Sequence, residues 1–455
     1  MKLRKSIPKC HGIGPHREIT TEETYRRIGP HIARVGISRI ADITGLDRIG
    51  IPVFNAIAPH SNDVISVYNG KGATTLDAKT SAIMEAVERH AAALPLRPAV
   101  IASYPELVAL GRRAMDPRDH NIELYERYHL DLPQSWVESW DLLNEETVLV
   151  PQYLAGYHTH YHEVPCYPIS TTNGIASGNS LEEAICHALC ELIERDDWTM
   201  AEIVSNRFSR AIGTGRLGLP SLPGLAGHFE EMHASVDLNS LSEQATRYTQ
   251  MFLDAGVGIH LKNITSETNI PSVLAVVSEE LGPTFSRSHQ GIGTHPDAEV
   301  AVVRAITEAA QSRVVDMQAM REDISLPDED VPRWALHTKR SSRFNPEAWA
   351  HKTSGNTIRF QDLPSHPSAD IMTDLNLMLE RLRARGLSRV LVVDLSPPEI
   401  PASVVRVVVP GLESWAIDRS KIGARATEKW RSAVGELRIM ISENPEVLGS
   451  LAGVK

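Results

Sequence analysis

One pattern recurs three times in this chain and restricts its folding more than any other feature. With Glu85, Glu191 and Glu308 in one column, Ala78 falls on Ala184 and Ala301, and Ala82 on Ala188 and Ala305. Glu88, Glu194 and Gln311 also coincide, giving A-x3-A-x2-E-x2-E with Gln closing the third copy. Residues three and four apart share a helix face, so each copy predicts a helix with small residues and acids on one side. Each opens on a helix-start signal: Thr74 with Asp77 three on, Ser180 with Glu183 three on, and Pro296 after His295. Three helices of one design predict three walls of one site.

A single E-x-x-E on a helix is more often a solvated pair, and Glu183 has a structural role of its own as the third helical residue after a Ser180 cap. Recurrence in register with alanines is what solvated charges do not explain. Carboxylates converging from three helices are strongly destabilising unless a cation lies between them. All-oxygen ligation suits Mg²⁺ rather than Zn²⁺, and Mg²⁺ usually completes its shell with water and phosphate. Arg195, Arg304 and Arg313 are then candidates to hold phosphate oxygens or to balance the acids. The pattern predicts a Mg-nucleotide site without a familiar phosphate loop.

No familiar loop competes with it. Gly213 to Gly218 reads G-x-G-x-x-G, but Pro220 and Pro223 follow where a dinucleotide fold needs a helix. Asn69-Gly70-Lys71-Gly72 lacks Walker spacing, although its place between strand and helix leaves Lys71 within reach of a ligand. His158, His160 and His162 alternate along an extended segment without further zinc ligands and read as an ordinary polar strand. Cys186 and Cys190, one helical turn apart, read as small core residues.

The rest of the chain sets the class. Its 455 residues give ample room for a core, and a net charge of -11 argues against general nucleic-acid binding. No apolar run reaches the ~20 residues of a membrane span. The stretch MKLRKSIPKCHGIG has no apolar centre, so no signal peptide is expected. Four cysteines make no disulfide framework, and a reducing cytoplasm is the expected setting. Helix is predicted over Thr20 to Val35 and Leu375 to Arg385. Strands are predicted over Val64 to Tyr68, Val148 to Val150, Val257 to Leu261, Ser272 to Val277, Arg389 to Val393 and Val404 to Val409. The fold class is therefore α/β, with Arg321 to Ala369 as a long surface excursion.

Four stretches carry a resemblance. GKGATTLDAKTSAIMEAVERHAA, STTNGIASGNSLEEAICHALCELIERDDW, GIGTHPDAEVAVVRAITEAAQSR and VVRVVVPGLE resemble the signature blocks of the YcaO family, over roughly residues 10–420. The resemblance implies a YcaO-type fold, with repeated helix-plus-sheet units around a central Mg-ATP site. It implies one domain over 1–455, comprising an N-terminal extension to residue 60, an ATP-binding core over 61–415 and a helical tail from 416. It implies an ATP-dependent enzyme that activates a peptide-bond carbonyl for nucleophilic attack. Glu85, Glu88, Glu183, Glu191 and Glu194 are the implied metal ligands. Ser81 and Arg195 are the implied nucleotide contacts, joined by Asn179, Glu308, Gln311, Arg313 and Arg17. ATP and Mg²⁺ are the implied cofactors.

Departures from the family pattern narrow the product. The chain closes on ENPEVLGSLAGVK and lacks the proline-rich end typical of azoline-forming members. REITTEETYRRI and GISRIADITGLDRIGIPVF look more like members that work with a TfuA partner, which implies thioamide formation from a sulfide source. The target is then a peptide or protein, and a homodimer stays open. An azoline- or amidine-forming enzyme and a non-catalytic scaffold are the alternatives.

Overall fold

In the computed structural model the described residues are 1–10, 16–63, 65–121, 128–157, 171–217, 221–282, 285–319, 349–352, 355–418 and 421–444. His158, His160, His162, Cys166 and most of the 321–369 excursion lie outside them. Three sheets make the frame. The first is an antiparallel trio, β1 (Arg39–Asp42), β2 (Val53–Ile57) and β3 (Val67–Lys71), in that order. The second contains β4 (Val100–Ala102), β5 (Gln134–Asp141), β6 (Glu146–Pro151) and β7 (Ile175–Gly178), completed by β13 (Leu391–Asp394) and β14 (Ser403–Val408). Its order is β4-β5-β13-β14-β7, with β6 also on β5. The third, from β8 (Ser235–Val236), β9 (Gly258–Asn263), β10 (Ser272–Gly282), β11 (Phe285–Thr294) and β12 (Thr357–Ile358), runs β11-β10-β9-β8-β12.

Seven helices matter for the site and its walls: α1 (Thr21–Ile28), α2 (Thr75–Ala92), α3 (Leu181–Ala201), α4 (Glu243–Asp254), α5 (Ala298–Ala319), α6 (Ile371–Ala384) and α7 (Ala424–Ser442). The three repeated segments are α2, α3 and α5. Each follows the strand that ends its own sheet, β3, β7 or β11. Each also has its own core. Ala78, Ala82 and Ala86 pack with Phe54 and Tyr68; Ala184 and Ala188 with Val405 and Val407; Ala305 and Ala309 with Val273, Ala275 and Val277.

The repeated alanines have a direct cause. A Cβ on Gly70 of β3 would lie 2.0 Å from the Ala82 nitrogen, and one on Gly293 of β11 would lie 2.1 Å from the Ala301 oxygen. Strand and helix backbones touch there, so the strand takes glycine, and so close an approach favours small residues on the facing helix. Gly178 of β7 meets Ala184 in the same way, its added Cβ 2.6 Å from the Ala184 nitrogen.

Helix starts follow the expected chemistry. The Thr74 hydroxyl accepts from the Asp77 N–H while Asp77 accepts from the Thr74 N–H, a complete capping box. At α3 only half forms. Ser180 accepts from the Glu183 N–H at 3.4 Å, but the Glu183 carboxylate turns to the Asn179 N–H at 3.1 Å. Helix α1 is capped by Thr20 and stops at Ile28, short of the expected Val35, because Gly29-Pro30 follows and the chain tightens into a 3₁₀ turn. The expected strand from Val64 to Tyr68 forms later, as β3. Among the described residues no helix is long and apolar enough to cross a membrane.

Candidate active site

An edge strand leaves backbone N–H groups unpaired, and here two of them serve carboxylates. Ser177 of β7 donates to Glu88 Oε2 of α2 at 2.8 Å, and Ile292 of β11 donates to Glu308 Oε1 of α5 at 3.5 Å. The three acid-bearing helix faces thus meet where three sheet edges end. Their charges interact. Burial and the Glu191 carboxylate push Glu85 up, against the pull of Arg89. Burial, Glu85 and Glu191 push Glu88 well above the carboxylate range. Glu194 is pushed up to about 8, by burial first and then by Glu308. Glu308 goes the other way: burial is outweighed by Lys71, Arg195 and Arg304, and its pKa falls.

The cations are unevenly placed. Lys71 Nζ lies 2.7 Å from Glu308 Oε2, and Arg195 Nη2 lies 2.9 Å from Glu191 Oε1. Five carboxylates therefore share two direct ion pairs, and three of the five are held toward the protonated form. Carboxylates so short of direct cationic partners fit an added divalent cation with oxygen ligands, such as Mg²⁺.

A second group of contacts brings the N-terminal segment to α3. Glu183 Oε1 accepts from Arg17 Nη1 at 3.0 Å and from Asn179 Nδ2 at 3.0 Å, while Oε2 accepts from the Glu18 N–H at 2.9 Å. Thr24 of α1 donates to Asn179 Oδ1 at 3.0 Å. Arg17, Asn179 and Glu183 are thereby one unit. Ser81 lies one turn before Glu85 and is exposed, and Gln311 lies one turn after Glu308 and is half-buried.

Arg313, expected among the nucleotide contacts, requires correction. It is fully buried, with Nε 2.7 Å from Asp47 and Nη2 2.5 Å from Glu279. Its charge is consumed inside the protein. The third repeat has Ser312 where the others have Arg89 and Arg195, so Arg313 sits one residue off register, about 100° around the helix. Arg304 meets the site from α5 instead, its Nη2 3.2 Å from His187 Nδ1. His187 carried no signal in the sequence beyond its place one turn before Glu191. Cys186 and Cys190 are buried, with Cys190 against Met378, and the contact with Cys190, then burial, push the Cys186 thiol well up.

His16, His295 and Asp374 present ligand atoms within 4.8 Å of one another. Lys9 already supplies the cation there, its Nζ 2.5 Å from Asp374 Oδ2, 3.1 Å from His16 Nδ1 and 3.0 Å from the Ser368 carbonyl. His295 Nδ1 accepts from the Asp297 N–H at 3.0 Å, which places the ring proton on Nε2 facing Asp374. The cluster is an internal ammonium site that fastens the N-terminal segment beside α6.

Comparison with known proteins identifies the family and the fold. Residues 69–413 match the family described as the ATP- and Mg²⁺-binding YcaO cyclodehydratases. The chain belongs to the YcaO family. An uncharacterized protein of Methanothermobacter thermautotrophicus is 34% identical over 410 residues, covering 90% of this chain and 97% of the relative. An uncharacterized protein in the tfuA 3' region of Rhizobium leguminosarum bv. trifolii is 33% identical, covering 92% and 93%. Among solved structures, YcaO from Methanopyrus kandleri bound with AMPPCP and Mg²⁺ superposes with a TM-score of 0.62 at 25% identity, covering 92% of this chain and 98% of that one. A heterocyclase in complex with substrate and cofactor gives a TM-score of 0.71 at 24% identity, over 91% of this chain and 54% of the heterocyclase. The latter likeness is one of fold. The fold class, the family and its ATP and Mg²⁺ cofactors thus stand as the sequence implied.

Proposed function

We propose that this YcaO protein uses Mg-ATP to activate a backbone amide of a peptide or protein and, with a sulfide source and a TfuA-like partner, converts it to a thioamide. The observation that carries the reading is the undercompensated carboxylate cluster of α2, α3 and α5. Glu85, Glu88, Glu191 and Glu194 offer oxygens to the metal, and Glu183, expected as a fifth ligand, instead spends its oxygens holding Arg17, Asn179 and the Glu18 N–H beside them. Arg195 and Arg304 take phosphate oxygens, and Ser81, Glu308 and Gln311 stand beside them. When bound, Mg²⁺ neutralises charge developing on the transferring phosphoryl group. An amide oxygen is a poor leaving group, and its departure as phosphate is what makes replacement by sulfur possible.

The thioamide assignment rests on the sequence likeness to TfuA-associated members and on the Rhizobium relative, a protein in the tfuA 3' region. Cys186 and Cys190 are buried, so neither supplies an accessible thiolate. Sulfur therefore comes from outside these two residues. Mass spectrometry of candidate targets, with and without this gene, is the test: a gain of about 16 Da marks a thioamide and a loss of about 18 Da an azoline. An azoline would overturn the sulfide reading. A reconstitution with Mg-ATP and target, but no partner and no sulfide, should give no thioamide. Full-rate formation there would mean that the chain carries its own donor.

A further inference from the structure

We propose that His187 is a positioning residue that holds the Arg304 guanidinium at the nucleotide site through its Nδ1. The inference rests on the reading of that site as a Mg-ATP site. A guanidinium has N–H donors and no acceptor, so the 3.2 Å contact between Arg304 Nη2 and His187 Nδ1 makes Nδ1 the acceptor. The ring is therefore neutral, with its proton on Nε2. Burial, together with Arg304, Arg17 and Lys71, keeps it so by pushing its pKa well down.

The placement gives the bond its purpose. His187 lies one turn before Glu191 on α3, and Arg304 one turn before Glu308 on α5, so the bond ties two walls together beside their carboxylates. A carboxylate in place of His187 would fix Arg304 equally well but would cancel its charge. A neutral acceptor orients the guanidinium and leaves the full positive charge for phosphate. Arg89 and Arg313 show the alternative, since each is held by carboxylates, Asp63 for the first and Asp47 with Glu279 for the second.

The test is Mg-ATP affinity by calorimetry for the wild type, His187→Leu, His187→Asn, His187→Gln, Arg304→Gln and the His187→Leu/Arg304→Gln pair. His187→Leu should weaken binding about tenfold, the scale of one hydrogen bond to a charged group. Asn carries an oxygen near the Nδ1 position and should restore most of the affinity, whereas Gln carries it further out and should not. In the Arg304→Gln background His187→Leu should add nothing, because the group it positions is gone. Additive losses, or equal behaviour of Asn and Gln, would overturn the role of His187 while leaving the site reading intact. A wild-type protein that binds no Mg-ATP would overturn the site reading itself. The Asn and Gln pair keeps the question answerable if the Leu variant fails to fold.

Discussion

Arg89 of α2 and Arg195 of α3 close the same E-x-x-E-R pattern, yet they do different work. Arg89 is 8% exposed and bidentate on Asp63, at 2.6 and 2.9 Å, with its guanidinium 4.5 Å from the centre of the Tyr157 ring. Arg195 reaches back one turn to Glu191, among the acids. The difference lies in what each helix faces. Beside Arg89 lies the loop carrying Asp63, so the arginine welds α2 to the β2–β3 connection. No such acid claims Arg195, whose Nε is buried without a protein acceptor among the described residues. Repetition produced the carboxylate walls, and divergence of one neighbour tied Arg89 to Asp63 while leaving Arg195 among the carboxylates.

The largest effect expected from breaking this comparison falls on the carboxylates shared by both helices. Glu191→Gln removes the charge that raises Glu85 and Glu88 and that pairs with Arg195. ATP turnover should fall on the order of a hundredfold or more, since one preorganised charge at a reacting centre is worth that much. The apoprotein should melt no lower than wild type, because repulsion is relieved. Normal turnover would sink the metal assignment.

The second prediction separates the two arginines. Arg195→Lys keeps the charge but loses the planar fork, and it should lower turnover about tenfold with an unchanged melting temperature. Arg89→Ala removes the charge that balances buried Asp63 and should destabilise the fold by about 3 kcal/mol, while the folded fraction keeps its Mg-ATP affinity. Reversal of these phenotypes would show that the Arg89–Asp63 pair is catalytic and the Arg195 contact structural.

What was legible in the sequence was local. Ala78, Ala82, Glu85 and Glu88 announce a helix with one small-residue face because the repeat unit is three and four residues, and the capping pair Thr74 and Asp77 marks its start. The three helices followed from the same register. The sheet partition was not legible, because β7 pairs with β14 across more than two hundred residues and pairing partners leave no short-range trace. The fates of the arginines were hidden for the same reason. Arg313 meets an acid 266 residues away and Arg89 one 26 residues away. Only the off-register position of Arg313 behind Ser312 could have warned that it leaves the shared face.

The smallest expected effect is a count of protons, and it sharpens the comparison at the level of charge. Glu194 titrates at about 8 in the folded apoprotein against an ordinary 4.5, and Glu85 and Glu88 are shifted the same way. For an acid with a raised folded pKa, the native state holds a proton that the unfolded state has lost. Apoprotein stability therefore declines as pH rises from about 4.5 towards 8, and the penalty is complete above 8. Metal ligands must be deprotonated, so Mg-ATP binding at pH 7 should expel protons, and affinity should rise with pH through the range in which Glu194, at about 8, loses its proton. Calorimetric titrations in two buffers of different ionisation heat measure the release, with about one proton or more expected per site. Glu191→Gln, by lowering Glu85 and Glu88, should release fewer. Zero release in the wild type would mean that these acids are already ionised in the apoprotein, and that Lys71 and Arg195 alone suffice to hold the three walls together.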